Sequence, residues 1–550
     1  MPPAEPRSAL HIPIFRAIWL ASLLSNFGGL IQSVGASWLM TSLTSSPQLV
    51  ALVQASTTLP IMLLSLLSGA IADNLDRRKV MLAAQGAMLT AAIGLSLFAW
   101  AGWLTPWTLL TFTFLVGCGS ALNLSSWQAS VGDMVPRAML PNAVALNSMG
   151  FNLARSVGPA IGGAIVAAAG AAAAFLVNAF SYLGMIGVLL RWTPPAKPSD
   201  LPRERLGMAM AAGVRYAAMS PNIRAILLRA AMFGVSASAV NALMPLVARH
   251  MTGGGALGYG VLLGGFGVGA VGGALLSTRL RRRLSAERIV VGASLGMGAG
   301  AAITALSTVM VVTVAALGLC GACWVLALST FNVTVQMSAP RWVVARCLSL
   351  YQMMAFGGMT LGAWGFGVLA EERSVEAALL VAAVLQLVPA LAGRWIPLPE
   401  ADNLNLDPLA RFTEPHTTVP VTPQSGPITV SIDYRIPADR ILEFLNVMDE
   451  RRRIRRRDGA RHWTLLRDLA DERSWTERYS VPTWVDYVRH NTRRTQADAE
   501  NSERILALHE GPESPRVTRM IERQTVALPP MRTIVAETAA DPVTDATRSS

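Results

Sequence analysis

Arg155 stands deep inside a long apolar stretch of this 550-residue chain, where a charge needs a chemical reason. Arg155 lies about a dozen residues into the stretch 143–168. Near the middle of a bilayer, an arginine costs several kcal/mol unless water, an anion or a polar side chain solvates it. We consider two roles for Arg155: an anion site supported by Asn152 one turn earlier, or a structural hydrogen bond to a neighbouring helix.

Other polar side chains occur at similar depth in other apolar stretches. They are Asn26, Gln32, Asn123, Ser236, Asn241, Trp324 and Asn332. Each is a candidate for contacting a ligand in a central cavity. A hydrogen bond between helices is the commoner role for any one of them.

A charged cluster follows the second apolar stretch: Gly69, Asp73, Arg77, Arg78 and Lys79. Its carboxylate can face a helix N-terminus, and its arginines can bind carboxylates or lipid phosphates. We interpret the cluster as a conformational latch between helices. The alternative is that the cations only keep this loop cytoplasmic, a role to which Asp73 contributes nothing.

A second pattern of small residues follows Arg155: Gly158, Pro159, Gly162 and Gly163. Small residues let a neighbouring backbone approach closely, and proline kinks or loosens a helix. The pattern indicates either a functional bend or simple close packing.

The composition of the chain shows which class of protein, membrane or soluble, these residues belong to. Apolar residues make up 52% of the chain and charged residues 15%, with a mean hydropathy of +0.43. Soluble domains have about 25% charged residues, and disordered chains are far less apolar. Four cysteines cannot make a disulfide scaffold. The composition therefore predicts a membrane protein and excludes a soluble globule.

Twelve apolar stretches are long enough to cross a bilayer, which takes about 20 helical residues. We place them at 14–40, 48–72, 80–101, 105–128, 143–168, 171–192, 222–248, 257–279, 286–306, 309–334, 345–371 and 374–396.

The basic residues predict the orientation of these spans. Residues 1–396 hold 24 Lys and Arg against 10 Asp and Glu, and most of the cations lie in alternate loops. By the positive-inside rule both termini are cytoplasmic. Since the net positive charge belongs to the apolar part, we expect no nucleic-acid partner, and we expect anionic lipid headgroups near the basic loops.

The two halves of the apolar region repeat each other. Gly69 to Asp73 and the basic cluster match Gly273 to Ser277 and the basic run 281–283, 204 positions later. Gly158 and Gly163 match 362 and 367 at the same offset, whereas the first and seventh spans match at 208. Two parallel six-helix bundles around one midplane site are the arrangement of a secondary transporter.

These motifs resemble the major facilitator superfamily. Gly69, Asp73 and the basic cluster are similar to its signature after helix 2, although Asp76 replaces the usual second glycine. The run from Gly158 to Gly163 is similar to its exporter-associated helix 5 signature. The match covers about residues 10–525 and is closest to the bacterial enterobactin-exporter-like branch, the transmembrane secretion effectors.

The resemblance implies an exporter of a small metabolite, siderophore or drug in the bacterial plasma membrane, working by alternating access. It implies that the latch stabilises the outward-facing state, and that protons are the coupling ion. The ten acids before residue 397 all lie in loops or at span ends, so proton coupling follows from the resemblance alone. An importer of the same fold and a membrane-tethered, cofactor-free monooxygenase are the alternatives.

The sequence changes after Pro397 to a linker and then to alternating charged sequence. Strands at 428–436, 460–469, 474–481 and 516–521 and helices at 437–457 and 483–507 give the order βαββαβ, which is ferredoxin-like. The segment resembles the dimeric domains of antibiotic-biosynthesis monooxygenases, so dimerisation is possible and Tyr479, Trp484 and His490 are pocket candidates. We predict no catalytic residue, cofactor or metal site.

The arginine run from Arg451 to Arg457 lies in this segment. Contact with anionic lipid headgroups is preferred over nucleic-acid binding, because the segment is slightly acidic as a whole. A solvated helix face is the alternative.

The predicted fold is an all-α polytopic membrane protein of twelve helices in two pseudo-repeated bundles, with a small α+β cytoplasmic domain. Its parts are a first bundle (1–192), a cytoplasmic linker (193–221), a second bundle (222–396), a linker (397–427), a ferredoxin-like domain (428–524) and a flexible tail (525–550).

The orientation predicts that Arg78 and Arg282 lie on the same, cytoplasmic side of the membrane, because both belong to basic loops. Alkaline phosphatase fused after either residue should be inactive, and a fusion in the uncharged loop 102–104 should be active. Fusions that place Arg78 and Arg282 on opposite sides contradict the repeat.

Overall fold

The computed structural model describes residues 9–136, 139–193, 206–251, 253, 255–340, 342–399, 406, 409, 412, 414–510 and 513–522. Within helices it leaves some side chains undescribed, including those of Asp73, Asp133 and Asn152.

The apolar part consists of long helices. They are α1 (Pro13–Leu43), α2 (Pro47–Asn74), α3 (Arg77–Trp100), α4 (Pro106–Met134), α5 (Leu140–Arg191), α6 (Leu206–Met219), α7 (Pro221–Leu246), α8 (Gly255–Arg281), α9 (Ala286–Leu306), α10 (Met310–Ser338), α11 (Val344–Glu372), α12 (Val375–Leu385) and α13 (Leu387–Leu391). A π-helical turn, Val247–Met251, follows α7. Proline in the first turn and capping side chains set several starts, as at Ser46 for α2 and Thr105 for α4.

The described helices confirm the predicted twelve-span architecture. Eleven stretches are long and apolar enough to cross a membrane, and one of them, Met149–Arg191, has 43 residues. That length suffices for two spans of about 20 residues. Gly170 breaks it with a φ of +77°, a conformation that glycine adopts readily. The predicted fifth and sixth spans therefore meet at Gly170.

The described contacts divide the chain into two units. The first contains Met1–Ala196, Ala225–Val335 and Leu348–Glu400, and so holds the body of both bundles. The second contains Lys197–Arg224, Gln336–Cys347 and Ala401–Ser550. Each is described by itself below.

Equivalent glycine contacts recur in the two halves of the first unit. A Cβ on Gly158 of α5 would lie 3.2 Å from Leu30 of α1, and one on Gly362 of α11 would overlap Ser238 of α7. Gly158 and Gly362 are 204 positions apart, and Leu30 and Ser238 are 208 apart. These are the two offsets of the sequence repeat, so the repeat extends to the packing.

The second unit contains a four-stranded antiparallel sheet. Its strands are β1 (Ile428–Arg435), β2 (Arg461–Arg467), β3 (Ser474–Val481) and β4 (Arg516–Ile521), in the order β2-β3-β1-β4. Its helices are α14 (Ile441–Arg457), α15 (Trp484–Thr492) and α16 (Gln496–Leu508). This is the predicted ferredoxin-like order.

The single helix predicted at 483–507 is wrong, because α15 and α16 are separate. Thr495 caps α16 through its hydroxyl, and Asp498 reciprocates by accepting the Thr495 backbone N–H. This capping box starts a new helix. The sequence signal, threonine followed three residues later by an acid, was present.

The segment 193–221, expected to be a linker, contains α6. Its alanine-rich and methionine-rich composition favours helix, and its Tyr216 is buried in the second unit. The Tyr216 ring meets Trp342 edge-on at 5.6 Å, and the Arg457 guanidinium lies 5.3 Å from the Tyr216 ring. Arg493 lies 4.2 Å from the Trp342 ring. Segments from two loops of the apolar region thus pack with the α+β domain.

The close approach of α8 to α5 gives a stability prediction. A Cβ on Gly267 would overlap the backbone of Arg155 and Ser156, whereas one on Gly272 of the same helix would meet nothing within 4 Å. Replacing Gly267 with Leu should therefore cost about 1–3 kcal/mol of folding free energy. The purified protein should unfold at a lower temperature, measured by tryptophan fluorescence.

The matched control is Gly272→Leu, which gains helix propensity and should unfold at or above the wild-type temperature. Equal unfolding temperatures for the two variants would show that the α5 and α8 backbones are not in contact.

Candidate functional site

Arg155 lies where the two halves of the first unit meet. Its helix, α5, packs against α8 of the other half, and Ser156 donates a hydrogen bond of 3.0 Å to the Gly267 carbonyl. The Arg155 side chain is half-buried, and its guanidinium lies 5.3 Å from the centre of the Phe266 ring. A cation over an aromatic face is stabilised by about 0.5–2 kcal/mol. Such a contact leaves the polar edge of the guanidinium able to bind another group.

Aromatic rings extend from Arg155 into the second half. The centre of the Phe266 ring lies 6.4 Å from that of Trp324 on α10. The Trp324 ring centre lies 6.1 Å from that of Phe233 on α7. The structure therefore links two of the predicted site residues, Arg155 and Trp324, through Phe266. Sequence reasoning missed Phe266, because a phenylalanine in an apolar helix carries no distinguishing signal.

Two of the predicted polar residues bond to neighbouring helices. Gln32 is buried and accepts a 2.6 Å hydrogen bond from Asn178, while Asn123 accepts one of 3.2 Å from Gln85. These bonds join α1 to α5 and α3 to α4, the role weighed as the commoner one.

Three other predicted residues lie on helices of both halves. Asn26, Asn241 and Asn332 are half-buried on α1, α7 and α10. The side chain of Asn152 lies outside the described residues. For all of these a role in substrate contact stays a prediction.

The glycines of the α5 pattern face two different helices. A Cβ on Gly162 would lie 3.0 Å from the Ile31 backbone of α1. A Cβ on Gly163 would lie 2.8 Å from Gly260 of α8, and one on Gly260 would lie 2.8 Å from the Pro159 carbonyl. The pattern thus holds α5 against its own half and against the opposite half.

The helices α2 and α11 form a second contact between the halves. The hydroxyls of Thr58 and Thr360 lie 2.8 Å apart, and Ser65 donates to the Ser349 carbonyl at 3.1 Å. A Cβ on Gly69 would lie 2.9 Å from the Ser349 hydroxyl. Gly69, the first residue of the predicted latch, therefore lies at an interface that must change if the halves move.

At the other end of this interface, Glu371 of α11 binds the start of α2. Its carboxylate accepts hydrogen bonds from the Ser46 hydroxyl and, at 3.2 Å, from the Gln48 backbone N–H. A carboxylate is stabilised at a helix N-terminus. The sequence placed Glu371 at the end of a span and gave no sign of this contact.

The basic cluster after α2 starts the next helix. Asp76 caps α3 by accepting from the backbone N–H groups of Arg78 and Lys79, at 3.0 and 3.4 Å. Arg78 donates to the carbonyls of Leu189 and Leu190, at 2.9 and 2.7 Å. Cations are favourable at helix C-termini, so Arg78 ties α3 to the end of α5.

The counterpart of the latch in the second half lies at the end of α8. Arg281 donates to the Ser277 hydroxyl at 2.9 Å and to the Ser329 carbonyl of α10 at 3.3 Å. Ser277 and Arg281 correspond to Asp73 and Arg77 of the first half. The side chain of Asp73 lies outside the described residues, so its part in the latch stays a prediction.

A buried ion pair in the second half was not predicted. Arg229 of α7 is fully buried and binds Glu287 of α9 at 2.8 and 3.2 Å. It also donates to the Ile396 carbonyl at 3.0 Å, and Glu287 accepts from the Leu398 N–H at 3.0 Å. The pair joins α7 and α9 to the segment after α13. The distance of 58 positions between the two charges hid it from sequence reasoning.

Comparison with known proteins identifies the family of this chain. The profile of the family described as transmembrane secretion effector matches residues 4–525. The chain belongs to the transmembrane secretion effector family. It is a multi-pass membrane transporter of the major facilitator type with a small-molecule substrate, as the motifs implied.

Curated relatives of this secretion effector are exporters. The chain is 27% identical over 358 residues to the enterobactin exporter EntS of Shigella boydii serotype 4 (strain Sb227), covering 64% of this chain and 84% of that one. Over 360 residues it is 27% identical to the enterobactin exporter EntS of Citrobacter koseri, with the same coverage of both chains.

Solved structures with the same fold include other transporters. A bacterial homologue of the human lysosomal transporter Spinster, in an inward-facing and unoccupied conformation, has a TM-score of 0.56 at 15% identity, covering 70% of this chain and 97% of that chain. The nucleoside transporter NupG has a TM-score of 0.55 at 14% identity, covering 70% and 99%.

The Arg229 and Glu287 pair gives a second stability prediction. Arg229→Gln should lower the free energy of unfolding by about 3 kcal/mol, because it leaves a carboxylate without its partner in a largely buried site. In a double-mutant cycle, the double variant Arg229→Gln/Glu287→Gln should lose clearly less unfolding free energy than the sum of the losses in the two single variants. Thermal unfolding of the purified protein measures both.

Arg224 lies on the same helix but is exposed, so Arg224→Gln serves as the control and should leave unfolding unchanged. Strictly additive losses for Arg229 and Glu287 would mean that the pair contributes no coupling.

Proposed function

We propose that this secretion effector exports a small organic anion from the cytoplasm by alternating access. The observation that carries the proposal is the position of Arg155, a half-buried cation on α5 at the contact with α8. A cation inside a membrane span needs water or an anion to offset its desolvation. A site between two repeated bundles is where transporters of this architecture bind substrate.

The glycine contacts support movement of one half against the other. Two helix pairs that join the halves, α5 with α8 and α2 with α11, include contacts between small side chains and backbone atoms. At these glycine contacts, few long side chains have to unpack when the surfaces separate. The latch at Gly69 and the contact of Glu371 with Ser46 lie towards opposite ends of the second pair, so we infer that they close alternately.

We propose export because the curated relatives are exporters and because the α5 pattern resembles the exporter signature. The cargo class proposed is a metabolite, siderophore or drug with a negative charge, and enterobactin, the compound named for the relatives, is the first candidate.

Protons are the proposed coupling ion. We place the protein in the bacterial plasma membrane with both termini cytoplasmic and the basic loops near anionic lipid.

Glu287 and Asp76 support proton coupling little, because each already forms a structural contact, the first with Arg229 and the second with the start of α3. Glu371 differs, since its contact joins the halves and would be broken when they separate. We propose that the contact of Glu371 with the start of α2 opens and closes during the cycle.

Everted membrane vesicles test the direction of transport. Vesicles holding the wild-type protein should accumulate radiolabelled enterobactin, or the compound missing from culture supernatants of a deletion strain, when a proton gradient is applied. Arg155→Gln should reduce the initial rate by at least tenfold, and Arg155→Lys should retain part of it because the charge remains.

Arg191→Gln, at the end of the same helix, is the control and should transport normally at equal membrane abundance. Accumulation in right-side-out vesicles alone would identify an importer. Wild-type rates for both Arg155 variants would remove Arg155 from the substrate site.

A further inference from the structure

The α+β domain contains a cavity of about 640 Å³ between its sheet and its helices. Val430 and Ile432 of β1 form part of its floor, and Ile505 of α16 forms part of its wall. Cavities of 300–1,000 Å³ are typical of small-molecule sites. The transport path described above does not use this space.

The charged side chains that line the cavity are all cations. They are Arg451, Arg455, Arg494 and Arg519. Among the lining residues that the structure describes, none is a carboxylate. The cavity therefore concentrates positive charge on one surface.

One carboxylate behind the lining neutralises part of this charge. Glu477 of β3 is fully buried and accepts from Arg455 at 3.1 Å, with Arg451 at 3.6 Å. Burial alone would raise the pKa of Glu477, but Arg455 and Arg451 outweigh burial and lower the pKa to about 2. Glu477 is thus ionised at neutral pH and carries one negative charge beside Arg451 and Arg455. The Asp498 carboxylate, which binds Arg457 at 2.9 Å, also attracts Arg494.

The other two arginines donate to neutral groups. Arg494 donates to the Ser502 hydroxyl at 2.5 Å, and Arg451 donates to the same oxygen at 2.8 Å. Arg519 donates to the Tyr487 hydroxyl at 2.6 Å. Two guanidinium groups that share one hydroxyl repel each other without an anion between them. Burial, followed by Arg451 and Arg455, lowers the pKa of Arg494 to about 10.

The rest of the lining is apolar and aromatic. The Tyr479 ring lies 4.5 Å from the Arg455 guanidinium, and the rings of Phe412 and Tyr487 lie 6.1 Å apart. Of the pocket candidates predicted from sequence, Tyr479 lines the cavity. His490 lies behind it against Arg455 at 3.0 Å, and Trp484 belongs to the core.

We propose that this cavity binds a small organic anion, with its acidic group between Arg494, Arg451 and Arg519 and an apolar body against the tyrosines. A carboxylate or phosphate there replaces the shared Ser502 oxygen with charge-assisted bonds, which are stronger than neutral ones. The volume suits a body of about two or three rings. This inference stands on the α+β domain alone and is independent of the direction of transport.

Isothermal titration of the purified full-length protein in detergent tests the site. The probes are benzoate, 2-naphthoate, anthracene-2-carboxylate and 1-naphthyl phosphate, with 2-naphthamide as the neutral counterpart that corrects for partition into detergent. At least one anion should bind and 2-naphthamide should not. Arg494→Gln and Arg519→Gln should each weaken that binding roughly ten- to a hundredfold, the effect of one charge-assisted hydrogen bond.

The matched control is Arg453→Gln on α14, an exposed arginine paired with Asp449, which should bind like the wild type. Thermal unfolding shows that each variant is folded. If no anion binds at millimolar concentration, or if Arg494→Gln binds as well as Arg453→Gln, the proposal is overturned. Binding lost in Arg155→Gln but retained in Arg494→Gln also overturns it, since the probe then occupies the membrane site.

The same titration distinguishes two sources of the ligand. Competition between the bound probe and the exported compound identifies the cargo itself as the ligand of the cavity. Binding that depends on Arg494 without such competition identifies a separate cytoplasmic anion. Both outcomes require the site.

Discussion

Contact between backbones, made possible by glycine, is the constraint on which the apolar unit depends. Lipid chains are as apolar as leucine, so helices in a membrane associate through close packing rather than through the hydrophobic effect. At Gly163 with Gly260, and at Gly267 with Arg155, two helices of opposite halves approach so closely that a single Cβ would collide with backbone. The repeat gives α2 and α11 an equivalent contact. At these contacts the halves are joined by surfaces that have few side chains to rearrange.

Buried cations show how environment decides the role of an arginine. Arg229 has a carboxylate and a carbonyl within hydrogen-bond distance, so its charge is compensated and it ties helices together. Arg155 lies against an aromatic ring, which compensates less. In the α+β domain, Arg494 shares a neutral hydroxyl with Arg451. The incomplete compensation of the last two is the physical basis for proposing anion binding at both places.

The arginine run of α14 combines several functions on one helix. Arg451 and Arg455 point inward to Glu477, while Arg453 is exposed. Arg457 binds Asp498 at 2.9 Å and lies over Tyr216 of α6. The buried Arg451 and Arg455 therefore do not belong to a solvated face, and lipid contact by the exposed arginines of the run stays a prediction. The helical period of 3.6 residues distributes consecutive identical residues over different surroundings.

The sequence by itself determined the spans, the repeat, the family and the βαββαβ order, because these depend on local hydrophobic pattern and on motif spacing. It also marked Arg155 and the α5 glycines, since a charge or a run of small residues is unusual inside a span. Only the tertiary structure decided what these residues contact. Phe266 under Arg155, Glu287 beside Arg229 and the arginine-lined cavity join positions distant in the chain, and no local pattern records such pairings. Likewise Gln32 and Asn123, candidates on depth alone, turned out to bond to neighbouring helices, because depth in a span is local whereas a partner is not.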